Sequence, residues 1–258
     1  MHDTVLSLES LTIGYKNGRN AKVVADGIDA SLRRGELVAL VGRNGAGKST
    51  LLRTLSAYIP PLGGKVRYRN GDVSAMTSND IAKQISVVLT ESVRTAISVR
   101  DLVSLGRTPY TNFVGRLTHK DRAAVEKAMD IMGIAHLEQR TIDTLSDGER
   151  QKCMVAKALA QETPLLLLDE PTAFLDFGSK VSLYRKLASL ARENGKAVLV
   201  STHDLELAVR LADRMWVLGG GRLSEGSVEE LSAGGALQEL IGDAGIRYDN
   251  KEKRIEIL

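Results

Sequence analysis

Cys153 is the only cysteine in the 258 residues, so no internal disulfide can form and no cysteine cluster is present to hold zinc. Long apolar runs are also missing. None approaches the roughly 20 residues that a helix needs to cross a bilayer. Met1 leads into mixed polar residues rather than an apolar signal core, so secretion is not expected. Charge of one sign is scarce as well: 35 basic against 32 acidic residues leave a net +3, too little for a nucleic-acid footprint. There is no internal repeat, no heptad run and no low-complexity linker. These absences leave a globular chain that meets a membrane, if at all, from outside it, and its length allows one large α/β domain.

Three short runs are apolar throughout: residues 37–41, 165–168 and 197–200. Such runs suit parallel strands covered on both faces. The second and third each lead, through a polar residue, into a helical pattern, and three buried strands with helices between them argue for a parallel, helix-covered sheet. The first 35 residues read as antiparallel strands instead, because Ile28-Asp29-Ala30-Ser31-Leu32 alternates apolar with polar. Residues 92–160 lack a buried-strand run and read as helical, with Thr118 and Asp121 opening one helix and Gly133 closing it. Ser227 and Glu230 form a further capping box, and residues 246–248 and 254–257 are spaced to pair as a hairpin.

The chemistry is concentrated in a few strings. Gly42-Arg43-Asn44-Gly45-Ala46-Gly47-Lys48-Ser49-Thr50 follows one buried strand and precedes a helical run. That is the strand–loop–helix setting of a phosphate-binding loop, in which glycines turn backbone N–H groups inward and a helix N-terminus favours the anion. Lys48 is placed to reach the β- and γ-phosphates, and Ser49 to ligate Mg²⁺. A bare Gly-rich turn would not carry this flanking context. Asp169 ends the second buried strand, where a magnesium-shell carboxylate sits in phosphate-loop ATPases. Glu170 beside it is placed to orient and polarise the attacking water. His203 follows the third strand. Ser146 and Glu149 form a capping box, so Ser146 begins a helix whose end, with Gly148, is suited to an anion.

Leu145-Ser146-Asp147-Gly148-Glu149-Arg150-Gln151, lying between the loop and Asp169-Glu170, resembles the signature peptide of the ATP-binding cassette (ABC) family. The resemblance covers nearly the whole chain in the family's motif order. It implies a P-loop ATPase of α/β class: a mostly parallel core sheet, an N-terminal antiparallel β subdomain and an inserted α-helical subdomain. The expected division is about 1–91 and 161–258 for the core and about 92–160 for the helical insert. The resemblance implies ATP and Mg²⁺ as ligands, with two chains closing head to tail over two ATP molecules. Ser146 and Gly148 would then meet the γ-phosphate held by the other copy, and Asp176 would lie in the loop that crosses between copies. His203 would contact the γ-phosphate and Tyr15 would stack on adenine.

A narrower resemblance lies in Val99-Arg100-Asp101-Leu102-Val103-Ser104-Leu105-Gly106-Arg107-Thr108-Pro109-Tyr110 and Gly115-Arg116-Leu117. This stretch is similar to ATPase subunits of iron–siderophore, haem and vitamin B12 importers. It implies integral membrane permease subunits as partners, a substrate-binding protein acting with them, no nucleic acid, and a peripheral place on the cytoplasmic face of the inner membrane. The alternative is a soluble non-transport ABC ATPase acting in repair, translation or cluster assembly. The missing heptads and cysteine clusters, and the room for only one cassette, count against it. A small-molecule kinase fits neither the signature peptide nor His203. A regulated sugar importer usually has a sizeable C-terminal domain, and little chain follows Gly226.

Two positions depart from the family pattern, both toward acid. Glu91 stands where the family has a glutamine that ligates Mg²⁺, and Asp147 where the signature has its first glycine. The shared sign leads to the expectation that both weaken the closed, ATP-bound dimer and make it more dependent on Mg²⁺. The alternative is that both side chains point away and are neutral.

Overall fold

The structure, a computed structural model, describes residues 4–18, 20–69, 71–89, 95–111, 115–242, 246–249 and 254–257. Strands β1 (Thr4–Asn17) and β2 (Asn20–Arg33) pair antiparallel, and the expected alternation holds: Ile28, Ala30 and Leu32 are buried while Asp29 is exposed. β3 (Leu37–Val41) feeds the phosphate loop, and helix α1 (Lys48–Leu55) leaves it. β4 (Gly63–Tyr68) and β5 (Gly71–Asp72) complete a four-stranded antiparallel sheet in the order β2-β1-β4-β5. Helix α2 (Ser78–Gln84), opened by a Thr77–Asp80 capping box that the sequence reading did not pick out, leads into β6 (Ile85–Val88).

Among the described residues from 95 to 160 no strand joins a sheet. This stretch carries α3 (Val99–Ser104), α4 (His119–Met132) and α5 (Asp147–Ala160). Thr118 and Asp121 form the expected box at the start of α4, and Gly133 ends it at φ 70. Then follow β7 (Leu165–Asp169), α6 (Phe177–Asn194), β8 (Ala197–Ser201), α7 (Leu205–Leu211), β9 (Arg214–Gly219) and β10 (Arg222–Gly226). α8 (Val228–Ala233) starts at the expected Ser227–Glu230 box, and α9 (Ala236–Ile241) precedes the hairpin of β11 (Ile246–Asp249) and β12 (Arg254–Ile257).

The second sheet runs β10-β9-β3-β8-β7-β6, parallel except for the antiparallel β9–β10 pair. The runs of residues 37–41, 165–168 and 197–200 in its central strands β3, β7 and β8 are apolar throughout because successive side chains serve different cores. Leu166, Leu168, Val198 and Val200 face a core shared with α4, α5 and α6. Leu165, Leu167, Ala197 and Leu199 face the opposite core, with α1 and the antiparallel sheet. Ala39 and Val41 of β3 pack with α7, α8 and α9. The chain is thus a P-loop α/β fold with an antiparallel β layer and a helical lobe. The sheet has three strands beyond those expected, β6, β9 and β10, and β6 brings residue 88 alongside Leu168, one residue before Asp169.

Candidate nucleotide site

The loop of residues 42–47 is shaped by what surrounds it. A side chain at Gly42 would place its Cβ 2.4 Å from the carbonyl oxygen of Leu218. Gly47, at φ 108, is the N-cap of α1, and a Cβ there would lie 2.4 Å from Val24 Cγ1. A larger residue at Gly42 would have to displace the β9 backbone, and one at Gly47 would meet the Val24 side chain in a backbone conformation that side chains disfavour. Asn44, Gly45 and Ala46 form the bend between them, closed by Ala46 N–H donating to Arg43 O at 3.1 Å.

Lys48, only 6% exposed, turns its ammonium back over the loop and donates to Gly42 O at 2.9 Å and Arg43 O at 3.4 Å. Burial lowers its pKa, and the nearby carboxylates of Glu170 and Asp169 pull it back up. The two distant sequence motifs therefore share one electrostatic environment. Ser49 is exposed on the first turn of α1, and Thr50 is buried behind it. Tyr15, half-exposed on β1, shares a hydrogen bond of 2.9 Å with Thr50 Oγ1, so its ring is held beside this turn.

Asp169 ends β7 as a buried carboxylate. Ser201 Oγ, at the end of β8, donates to Asp169 Oδ1 at 2.6 Å and accepts Glu170 N–H at 3.0 Å. The same N–H also reaches Ser201 O at 3.2 Å. Ser201 thus holds the two acidic residues in register. Sequence reasoning missed it, although a polar residue ending an apolar strand was the available signal. Glu170 adopts φ 49, a left-handed conformation uncommon for a residue with a side chain and typical of constrained functional sites. Its Oε1 pairs closely with His203 Nε2. The two candidates, 33 positions apart in sequence, are brought into direct contact. Glu91 lies outside the described residues. Among those described, no group of three His, Cys, Asp or Glu side chains forms a metal cage.

The signature helix is built separately. Ser146 Oγ accepts Glu149 N–H at 3.3 Å, and Glu149 Oε2 accepts Ser146 N–H at 2.9 Å, completing the expected box. The backbone bond from Ser146, then its hydroxyl, hold Glu149 below the usual carboxylate range. Every side-chain hydrogen bond of Ser146 is to Glu149. Asp147 pairs with Arg150, one turn along α5, and Arg150 also donates to Leu145 O. Gly148 abuts the next loop: a Cβ there would lie 3.2 Å from Leu175 Cδ2. Asp176 caps α6, accepting Ser179 N–H at 2.9 Å and Ser179 Oγ–H at 2.7 Å. Phe174 and Phe177 beside it are exposed.

Comparison with known proteins follows the same lines. The sequence profile described as ABC transporter matches residues 25–173. The iron(3+)-hydroxamate import ATP-binding protein of Bacillus subtilis (strain 168) is 35% identical over 252 residues, covering 96% of this chain and 92% of its own. The ferric enterobactin transport ATP-binding protein of Escherichia coli (strain K12) is 36% identical over 236 residues, covering 91% and 86%. Among solved structures, a chain of a transporter described as of metal-chelate type, in an inward-facing conformation, superposes with a TM-score of 0.79. It shares 28% identity and covers 93% of this chain and 89% of that one.

Proposed function

The chain belongs to the ABC transporter family, and on that premise we propose that it is the energy-coupling ATPase subunit of an importer for an iron chelate, haem or vitamin B12. The observation that carries the reading is the convergence of Lys48, Asp169, Glu170 and His203 on one loop, while the side chain of Ser146 on the signature helix bonds only to Glu149 of its own capping box.

In this reading the backbone N–H groups of residues 42–49 and the Lys48 ammonium take the β- and γ-phosphates, displacing Lys48 from the carbonyls it now caps. The donor set fits Mg²⁺: Ser49 on the first turn and the carboxylate of Asp169 are hard oxygen donors, and this metal needs few protein ligands beside phosphate. Bound there, Mg²⁺ would offset phosphate charge. Tyr15 stands where an adenine ring could stack. Glu170 polarises the water whose oxygen attacks the γ-phosphorus as the bond to the ADP oxygen breaks, and His203 contacts that phosphate while holding Glu170. Ser146 and Gly148 of a second copy complete the site, and Asp176 lies on the loop between copies.

Relatives named as import and transport ATP-binding proteins support permease partners; a substrate-binding protein acting with them and a peripheral position on the cytoplasmic face of the membrane complete the proposal. No helix among the described residues is long and apolar enough to cross a bilayer. A cleft of about 550 Å³ runs between the end of α1, α2, β6 and α5, with Tyr58 exposed at its rim. A permease segment seated there would touch both the core and the helical lobe.

The test has two arms. Glu170→Gln should bind ATP yet hydrolyse it about 10²- to 10⁴-fold more slowly; undiminished hydrolysis removes Glu170 from its role. Tagged protein extracted gently from membranes should bring down a many-helix permease, and Tyr58→Asp should lose it. A purely soluble partner would favour a non-transport ATPase instead.

A further inference from the structure

The phosphate loop is held on its outer side by helix α9. The Arg43 side chain leaves the loop and reaches the C-terminal turn of α9, where Nε donates to Leu240 O and a terminal nitrogen to Glu239 O, each at 3.4 Å. These are carbonyls that a helix end leaves without an intrahelical partner. Gly242 makes room for the contact: a Cβ there would lie 2.6 Å from the same terminal nitrogen. Its backbone, at φ 77 and ψ −170, belongs to a region that is essentially confined to glycine. The carbonyl of Arg43 meanwhile accepts from Ala46 N–H and from the Lys48 ammonium. Arg43 is therefore held at both ends, by the nucleotide loop and by α9.

α9 is itself anchored. Leu237 is buried in a core that includes Val41, the last residue of the strand feeding the loop, together with Val217, Leu231 and Tyr248. A cavity of about 640 Å³ separates α9 from the outer edge of residues 43–46 and from the β9–β10 turn, so Arg43 bridges an open space rather than packing in a filled one.

We propose that Arg43 is a positioning residue through which the C-terminal α8–α9 segment holds the phosphate loop ready for nucleotide. The inference rests on the reading of residues 42–49 as that loop. A loop whose first turn is fixed before binding has less conformational freedom to lose when its N–H groups close on phosphate. Loosening α9 should then weaken nucleotide binding from a distance, and only while Arg43 is present to carry the effect.

The test is calorimetric titration of Mg·ADP into the full chain, with thermal melting recorded alongside. Gly242→Ala, which crowds the guanidinium, and Leu237→Ala, which loosens the anchor, should each weaken ADP about fivefold, at the low end of coupling between sites. In an Arg43→Ala background both should leave affinity unchanged, although each still lowers the melting temperature. A purely structural role would give penalties that persist in that background. Persistent penalties, or no change in affinity with Arg43 intact, overturn the inference. Should Leu237→Ala fail to fold, the Gly242→Ala pair decides it. Absence of ADP binding by the unaltered chain would overturn the phosphate-loop reading, and this inference with it.

Discussion

Replacing Arg107 by methionine should cost about 3 kcal/mol of stability, at the lower end of the cost of breaking a buried ion pair by removing one partner. The guanidinium, 3% exposed at the side chain, donates through Nε to Asp121 Oδ1 at 2.9 Å and through one terminal nitrogen to Ala160 O at 2.7 Å and Glu162 Oε2 at 2.8 Å. It also lies 4.3 Å from the centre of the Tyr110 ring. It therefore ties the turn after α3 to the first turn of α4 and the last turn of α5. Methionine keeps much of the volume, so the cavity penalty is small. Glu162 is nearly half exposed and returns to water at little cost. Asp121 keeps its bonds from Thr118 N–H at 2.9 Å and Oγ1–H at 2.6 Å but stays buried without its counter-charge, and Ala160 O loses a donor. Those two losses set the estimate. For a chain of this size each kcal/mol moves the melting temperature by about 2–4 °C, so a fall of about 6–12 °C is expected.

Arg100 provides the control. It pairs with Glu138 and Glu126 where all three side chains are a third or more exposed, and such pairs contribute below about 1 kcal/mol. Urea and thermal unfolding of Arg107→Met, Arg100→Met and the unaltered chain separate the cases. Equal penalties for the two variants would refute the reasoning.

Asp121 also gives a pH dependence. Hydrogen bonds from Thr118 and the Arg107 guanidinium hold its pKa at about 2, below its ordinary 3.8. A depressed carboxylate pKa stabilises the fold above pH 3.8, and that stability disappears as pH falls toward 2. The melting-temperature gap between the unaltered chain and Asp121→Asn should therefore be full at pH 6 and shrink between about pH 4 and pH 2; a constant gap contradicts the assignment. Burial, then the charge of Glu149, push the Cys153 thiol up to about 12, so the native protein at pH 8 should resist iodoacetamide that modifies it in urea, as mass spectrometry would show. In a Glu170→Gln background, Asp147→Gly should strengthen ATP-driven dimerisation and Arg150→Ala should weaken it, each by about 0.5–1 kcal/mol because the Asp147 carboxylate is exposed. Analytical ultracentrifugation reads both, and an inert Arg150→Ala would mean that the carboxylate does not face the second copy.

What was legible in the sequence is what local pattern encodes. The uninterrupted apolar runs became β3, β7 and β8 because both faces of each strand meet a core. The capping boxes at Thr118, Ser146 and Ser227 held because they are contacts three residues apart. β6 escaped because Ser86 interrupts its run; that serine is buried, and its hydroxyl is satisfied by Thr163 Oγ1 at 2.9 Å, a partner 77 residues away. β9 escaped because it begins on Arg214, whose charge is answered by Glu36 in the turn before β3 and by Glu225 on β10. The candidate site divides in the same way. The loop and the Asp169–Glu170 pair are strings, whereas Ser201's hold on both acids and the Glu170–His203 contact exist only once β7 and β8 lie side by side.

The same distinction alters the weight of two sequence features. In the stretch around Arg107, which carried the narrower resemblance to iron and B12 importers, Gly106 and Arg107 are buried while Leu105 and Tyr110 are exposed, Tyr110 OH donating to Gln161 O at 2.9 Å. Arg107 there braces the helical lobe, so part of that similarity is a similarity of packing. Asp147 changes in the opposite direction. As an isolated acid in the signature it implied repulsion of a phosphate, but its carboxylate is answered by Arg150 within α5. What a second copy's nucleotide would meet is a paired charge beside Gly148. Gly148 in turn packs on Leu175, in the loop that begins where Ala173 N–H bonds Glu170 O at 3.2 Å. A continuous line of contacts therefore joins the strained Glu170 to the N-terminal end of α5. A change of backbone at Glu170 can reach the start of α5 through this loop, without passing through the sheet.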